Sequence, residues 1–222
     1  MKRKLIILLF VWIGWGYAWS QCNPFYNLKQ GSEWELTSYN AKDKVTGRQV
    51  NQIKSLEETS DGWKAVIYFK NYDKKDELVY EKEVELECAD GVIKMDMERF
   101  IPEESLQAFR DMEMTIEVDN LEWPSDLDVG KTLDDGSINI KGNIMNMSVD
   151  VTDRKVEGKE NITTPAGTFE SFKVTYKVRT KMMMSMEGNA VDYIAEDVGL
   201  VRSETYNKNG KLVGYTLLTG YK

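Results

Sequence analysis

Apolar and polar residues alternate in steps of two along most of this chain. In the longest run, Phe172, Val174, Tyr176 and Val178 alternate with Lys173, Thr175, Lys177 and Arg179, as in a strand with one buried and one wet face. The same period sets Trp63, Ala65, Ile67 and Phe69 on one face. It also sets Leu78, Tyr80, Val84, Leu86 and Cys88 opposite the solvated Glu81, Glu83, Glu85 and Glu87. It returns in Met112, Met114, Ile116 and Val118, in Ile138 and Ile140, and in Met145, Met147, Val149 and Val151. Trp34 and Leu36 share a face of an earlier strand, and Val45 to Glu57 continues with weaker alternation. Asp61-Gly62, Ala89-Asp90-Gly91, Glu187-Gly188-Asn189 and Lys208-Asn209-Gly210 read as turns, and Gly142-Asn143 as a bulge or a hairpin turn. Trp123-Pro124-Ser125-Asp126 and Val129-Gly130-Lys131 read as a surface crossing.

A helical period shows once. Pro102 suits a first helical position, Glu103 and Glu104 suit the positive end of the helix dipole, and Leu106, Phe109 and Met112 fall at spacing three. So many strands against one short helix exclude a doubly wound α/β fold. The run Phe172 to Met186, about 15 residues at about 3.3 Å each, would span near 50 Å if straight, so it must coil. The expected fold is mainly β: a strongly curved antiparallel sheet or open barrel, with the short helix lying at its mouth.

The N-terminus departs from this pattern. Lys2, Arg3 and Lys4 precede an apolar run from Leu5 to Trp19, and Ala18-Trp19-Ser20 places small residues where a signal peptidase reads. The run is about 15 residues, short of the roughly 20 that a spanning helix needs. A cleaved signal peptide over residues 1–20 and a single β-rich domain over 21–222 are therefore expected. A lipid-attachment site at Cys22 is the alternative, although Gln21 stands where such sites carry Gly, Ala or Ser, and Trp19 is bulky. Export to the periplasm follows, with an outer-membrane lipoprotein or a secreted protein as variants.

Without the signal, 26 basic residues face 37 acidic ones, a net charge of −11. That balance repels nucleic acid and anionic head groups. The two cysteines, Cys22 and Cys88, read as one disulfide in an exported chain, since they lack the close spacing of a zinc or redox pair.

The chain has no histidine, which removes Ser-His-Asp and Cys-His nucleophiles and imidazole metal sites together. Carboxylates are abundant, but none stands in a stretch whose burial the pattern establishes. Gly130-Lys131-Thr132 lacks the upstream glycine of a phosphate loop. No enzyme, cofactor or metal site is indicated. The unusual feature is methionine: of eleven in all, nine, Met1 and Met183 aside, group as Met95 with Met97, Met112 with Met114, Met145 with Met147, and Met182, Met184 and Met186. Period two places each group on one face. With Leu106, Phe109 and Tyr176 they form the candidate lining of a cavity for a lipid-like or other hydrophobic ligand, because flexible thioethers re-pack around varied guests. Three alternatives stay open: an ordinary filled core, an envelope protein that binds other proteins, and a Cu(I) site built on soft thioether ligands.

The phrases GSEWELTSYNAKDKVTG, ELECADGVIKMDMERFIP, VGKTLDD, RKVEGKE, TTPAGTFESFKVTYKV and DVGLVRSETYNKNGKLVGYTLL resemble a TapB-like exported family of Bacteroidota, a domain of unknown function. The likeness runs from Cys22 to Leu218. This resemblance implies an envelope location, no catalytic residues, and an architecture similar to periplasmic lipoprotein carriers of the LolA/LolB type, whose curled sheet holds acyl chains. In the Thr-Pro-Ala-Gly-Thr-Phe motif it leaves Pro165 and Gly167 to shape a turn and Phe169 to enter the core.

Overall fold

The alternating segments become thirteen strands: β1 (Glu33–Asn40), β2 (Val45–Glu58), β3 (Gly62–Asp73), β4 (Leu78–Ala89), β5 (Val92–Met95), β6 (Thr115–Asp119), β7 (Leu121–Pro124), β8 (Gly136–Lys141), β9 (Asn146–Thr164), β10 (Gly167–Lys181), β11 (Ser185–Ala195), β12 (Gly199–Asn207) and β13 (Leu212–Tyr221). A 3₁₀ turn (Met97–Phe100) and the helix α1 (Glu103–Asp111) separate β5 from β6. The structure, a computed structural model, describes Cys22, Phe25 and residues 29–95, 97–100, 103–142, 146–182 and 184–222. The segment read as an export signal, Met145 and the side chain of Leu106 lie outside the described residues.

All thirteen strands belong to one antiparallel sheet in the order β6-β8-β9-β10-β11-β12-β13-β1-β2-β3-β4-β5-β7. Its two end strands, β6 and β7, are consecutive in the chain, with Asn120 alone between Asp119 and Leu121. Two steps of extended backbone cover about 7 Å. The first and last strands therefore run on end to end, pointing the same way as twelve antiparallel steps require, and so wide a sheet can meet that condition only by rolling into a nearly closed barrel. Among the described residues no ladder joins β6 to β7, so the chain itself closes the seam.

Packing reinforces the closure. The Met97 N–H donates to Asn120 Oδ1 at 3.1 Å, which starts the 3₁₀ turn beside the seam and seats Met97 in a cluster with Leu121, Ile138, Ile140 and Val151. Gly136 of β8 faces the link: a Cβ there would lie 2.7 Å from Leu121 Cδ2 and 3.1 Å from the Asp119 carbonyl. A second cluster joins Phe25, Leu127 and Leu133 to Val156, Phe172, Val174 and Ile194. A third surrounds the disulfide between Cys22 and Cys88, 66 residues apart, with Trp63, Ile67, Leu86 and Ile93. That bond fastens Cys22 to the end of β4.

The helix and the thirteen-stranded curl agree with the sequence pattern, but three local expectations are corrected. The chain reverses after Lys181, which pairs with Ser185, and not at Glu187-Gly188-Asn189. Gly188 instead lies within β11, opposite Val178 and Asn207, where an added Cβ would meet the Tyr206 carbonyl at 2.5 Å. That glycine serves close strand approach. Met112 does not begin a strand: Glu113 takes a left-handed φ of 53°, its N–H bonds back to Arg110 and that of Met114 to Phe109, so Met112 stays in the closing turn of α1. The stretch read as a surface crossing opens instead with Trp123 and Pro124 in edge strand β7, and the neighbouring Leu127 and Leu133 are buried.

Substituting Gly136→Ala should wedge the seam and lower unfolding stability by about 1–3 kcal/mol in urea denaturation. An unchanged midpoint would show that the junction has room to spare. Replacing Cys22 and Cys88 together by serine should cost about 4 kcal/mol by the loop-entropy relation, measured in the same way.

Candidate functional site

The inward faces of the barrel enclose a cavity of about 510 Å³, within the roughly 300–1,000 Å³ typical of small-molecule sites. Its apolar lining comes from every part of the wall: Trp34 and Leu36 of β1, Ile67 and Phe69 of β3, Leu121 and Trp123 of β7, Val149 and Val151 of β9, and Leu200 of β12. Period two accounts for this, since the strand residues among them stand on the inner face while their neighbours carry the outer ion pairs, such as Lys64 with Glu87.

The methionine expectation is corrected here. Of the candidate residues, Met95, Met97 and Tyr176 line the cavity. Met114, Met147 and Phe109 pack against the Met97–Leu121–Val151 cluster beside it. Met112, Met182, Met184 and Met186 are exposed, Met184 by 80%. The last three stand at or beside the β10–β11 turn, carried there by the earlier reversal of the chain. Thioethers therefore do not make the hollow; aromatic and aliphatic side chains do.

One stretch of wall is polar, and the sequence pattern did not indicate it. Arg154 of β9, Tyr176 of β10, Asp192 of β11 and Ser203 of β12 come from four neighbouring strands, and all line the cavity. A β-bulge places the arginine. Between the pairs Thr175↔Lys155 and Lys177↔Thr152, Tyr176 stands opposite two residues, Asp153 and Arg154. Asp153 adopts a left-handed φ of 55°, which aspartate tolerates better than most side chains. The extra residue shifts the inward phase of β9 from Val149 and Val151 to Arg154 and Val156. A signal for it was present, because Val151 and Val156 are five apart and an odd spacing cannot keep one face of a regular strand.

Arg154 is 1% exposed. Its Nη1 donates to the carbonyl of Glu122 at 3.0 Å and to that of Asp134, and its guanidinium lies 4.7 Å from the Trp123 ring centre. It thus braces edge strand β7 from inside the barrel. Among the described residues its Nη2 has no hydrogen-bond partner. Across β10, the Tyr176 hydroxyl donates to Asp192 Oδ2 at 3.0 Å, and Asp192 pairs in register with Ser203. Asp192 Oδ1 likewise has none among the described residues. By contrast, on another wall Gln49 Nε2 donates to Asn51 Oδ1, and Asn51 Nδ2 donates to the Trp34 carbonyl.

Burial sets the electrostatics of this wall. It pushes the Asp192 carboxyl above its ordinary value against the pull of Ser203, Tyr176 and the Arg154 charge. It also drives the Tyr176 phenol well upward, with the Asp192 charge adding to the effect. Burial draws the Arg154 guanidinium down, although an arginine remains charged. Asp192 is only half-buried as a whole residue, yet its Oδ1 is sealed from solvent; the atom governs the titration. Among the described residues no group of three or more acidic or cysteine side chains could hold a metal ion.

A family profile described as DUF3108-like matches residues 29–218. No curated protein matches the chain in sequence. Two solved structures are similar to it in fold. One is "a putative exported protein with YmcC-like fold" from Bacteroides fragilis, 23% identical, covering 90% of this chain and 100% of its own, with a TM-score of 0.73. The other is "a putative lipoprotein" from Parabacteroides distasonis, 23% identical, covering 91% of this chain and 100% of its own, with a TM-score of 0.74.

A carboxyl whose folded-state value is raised holds its proton more tightly in the folded than in the unfolded chain. Its contribution to stability is therefore present at low pH and is lost as pH rises from the ordinary value of 3.8 through the folded-state value. Asp192→Asn removes that loss. The stability of the variant relative to the parent should rise with pH through this window and level off above it, in urea denaturation repeated from acid to neutral pH. A difference that stays flat or falls would contradict the assignment.

Proposed function

The chain belongs to the DUF3108-like family, and on that footing we propose that it is a non-enzymatic binding or carrier module of the cell envelope, holding a hydrophobic small molecule inside its barrel. One observation carries the reading: a rolled sheet surrounds a hollow of ligand size whose walls are mainly aromatic and aliphatic. A barrel built only for structure would close its inward side chains on one another.

Several features support the setting. The similar proteins from Bacteroides fragilis and Parabacteroides distasonis carry the descriptions exported protein and lipoprotein. A disulfide suits an oxidising compartment. The periplasm is the compartment most consistent with a signal peptide over residues 1–20, and a lipidated Cys22 is incompatible with the bond to Cys88. The resemblance to TapB-like proteins and to lipoprotein carriers points to an acyl chain as the guest. A non-enzymatic role accords with the lack of any histidine to activate Ser203. The Cu(I) alternative gains no support from the positions of the thioethers, since among the described residues only Met95 and Met97 reach the hollow.

The purified chain should bind the neutral dye Nile red with a rise in its fluorescence, and extraction of protein taken from its own source should release an apolar compound. Val178→Trp, which fills the cavity from β10, should weaken dye binding by at least about tenfold while leaving the β-sheet circular dichroism unchanged. Failure of the parent to bind the dye, with nothing recovered on extraction, would overturn the proposal.

A further inference from the structure

The cavity is apolar but not uniformly so, and its polar wall is incompletely satisfied. Among the described residues Arg154 Nη2 is a donor without an acceptor, and Asp192 Oδ1 an acceptor without a donor. Both residues line the same hollow. No hydrogen bond joins the two atoms: β10 lies between their strands, and the Tyr176 hydroxyl is committed to Asp192 Oδ2. Leaving a charged group buried and unpaired is costly, more so than for a neutral one.

We infer that Arg154 and Asp192 together read the head of the bound molecule, and that this head is an uncharged group that both accepts and donates, as a primary amide does through its oxygen and its nitrogen and an alcohol through its single oxygen. The inference rests on the cavity reading above and names the class of guest. The acceptor of such a head takes the Arg154 Nη2 proton, and its N–H or O–H donates to Asp192 Oδ1, while the apolar remainder lies against Trp34, Phe69 and Leu121. A carboxylate head satisfies the arginine only and sets a second negative charge beside Asp192. An ester accepts but cannot donate. Tyr176 and Ser203 act as positioning residues: by register and hydrogen bond they hold the Asp192 carboxylate toward the hollow.

The test compares four dodecyl compounds, dodecanamide, dodecanol, methyl dodecanoate and dodecanoate, by displacement of Nile red from the parent chain at mildly alkaline pH. Dodecanamide and dodecanol should bind at least about tenfold more tightly than the ester and the carboxylate. Asp192→Asn removes the charge and keeps the shape. It should retain Nile red and tighten dodecanoate relative to dodecanamide by about tenfold. Equal binding of all four compounds leaves the cavity reading standing and overturns this one, since water or protein groups would then satisfy the wall. Dodecanoate binding as tightly as dodecanamide in the parent also overturns it, as does an unchanged ratio in the variant. If Nile red itself fails to bind, the cavity reading falls and this inference falls with it.

Discussion

The single residue between β6 and β7 is the constraint on which the rest of the structure depends. Asn120 ties the first and last strands of a thirteen-stranded sheet together, and a sheet so tethered must curl back on itself. Closure of this kind differs from a hydrogen-bonded ladder because it leaves strand edges along the seam. The protein manages those edges from inside: Asn120 accepts from the Met97 backbone, Arg154 reaches the carbonyl of Glu122, and Leu121 fills the angle against Gly136. Exposed edges invite pairing with other chains, so these contacts also keep the barrel a closed unit.

The same arginine links architecture to function. One inserted residue, Asp153, turns β9 through a change of phase and delivers Arg154 to the interior. Half of its guanidinium then braces the seam, and the other half is left facing the hollow with Asp192. A buried charge kept only for stability would be a poor choice, since apolar residues of similar volume often serve as well or better. Its retention beside an equally incomplete carboxylate is easier to understand if something polar enters between them.

Much of the fold could be read from the residues alone because period two speaks directly to burial. Trp63, Ala65, Ile67 and Phe69 all turn inward, the four glutamates of β4 all face solvent, and the pairing of Cys22 with Cys88 follows from export and even count. The same rule could not say where a strand ends. Met182, Met184 and Met186 continue the alternation of β10 faultlessly, yet the chain reverses at Lys181 and the three thioethers project from or beside the hairpin tip. Gly188 looked like the turn because glycine marks turns and close strand approaches alike. The polar wall was hidden for a different reason. Arg154 stands among charged neighbours that do face water, with only the odd spacing from Val151 to Val156 to hint that it is turned in, whereas Asp192 is a lone acid among the apolar Ala190, Val191, Tyr193 and Ile194. Which strands lie side by side, and hence that these two residues share a hollow, is a property of topology that no local pattern carries.

The most direct measurement is a crystal structure of the protein purified from its own source, resolved well enough to show the barrel interior. A rolled sheet around a binding cavity predicts ordered non-protein density lying along the apolar wall and ending between Arg154 Nη2 and Asp192 Oδ1. An interior in which those two atoms bond to each other and the side chains around them meet with no hollow between would contradict it.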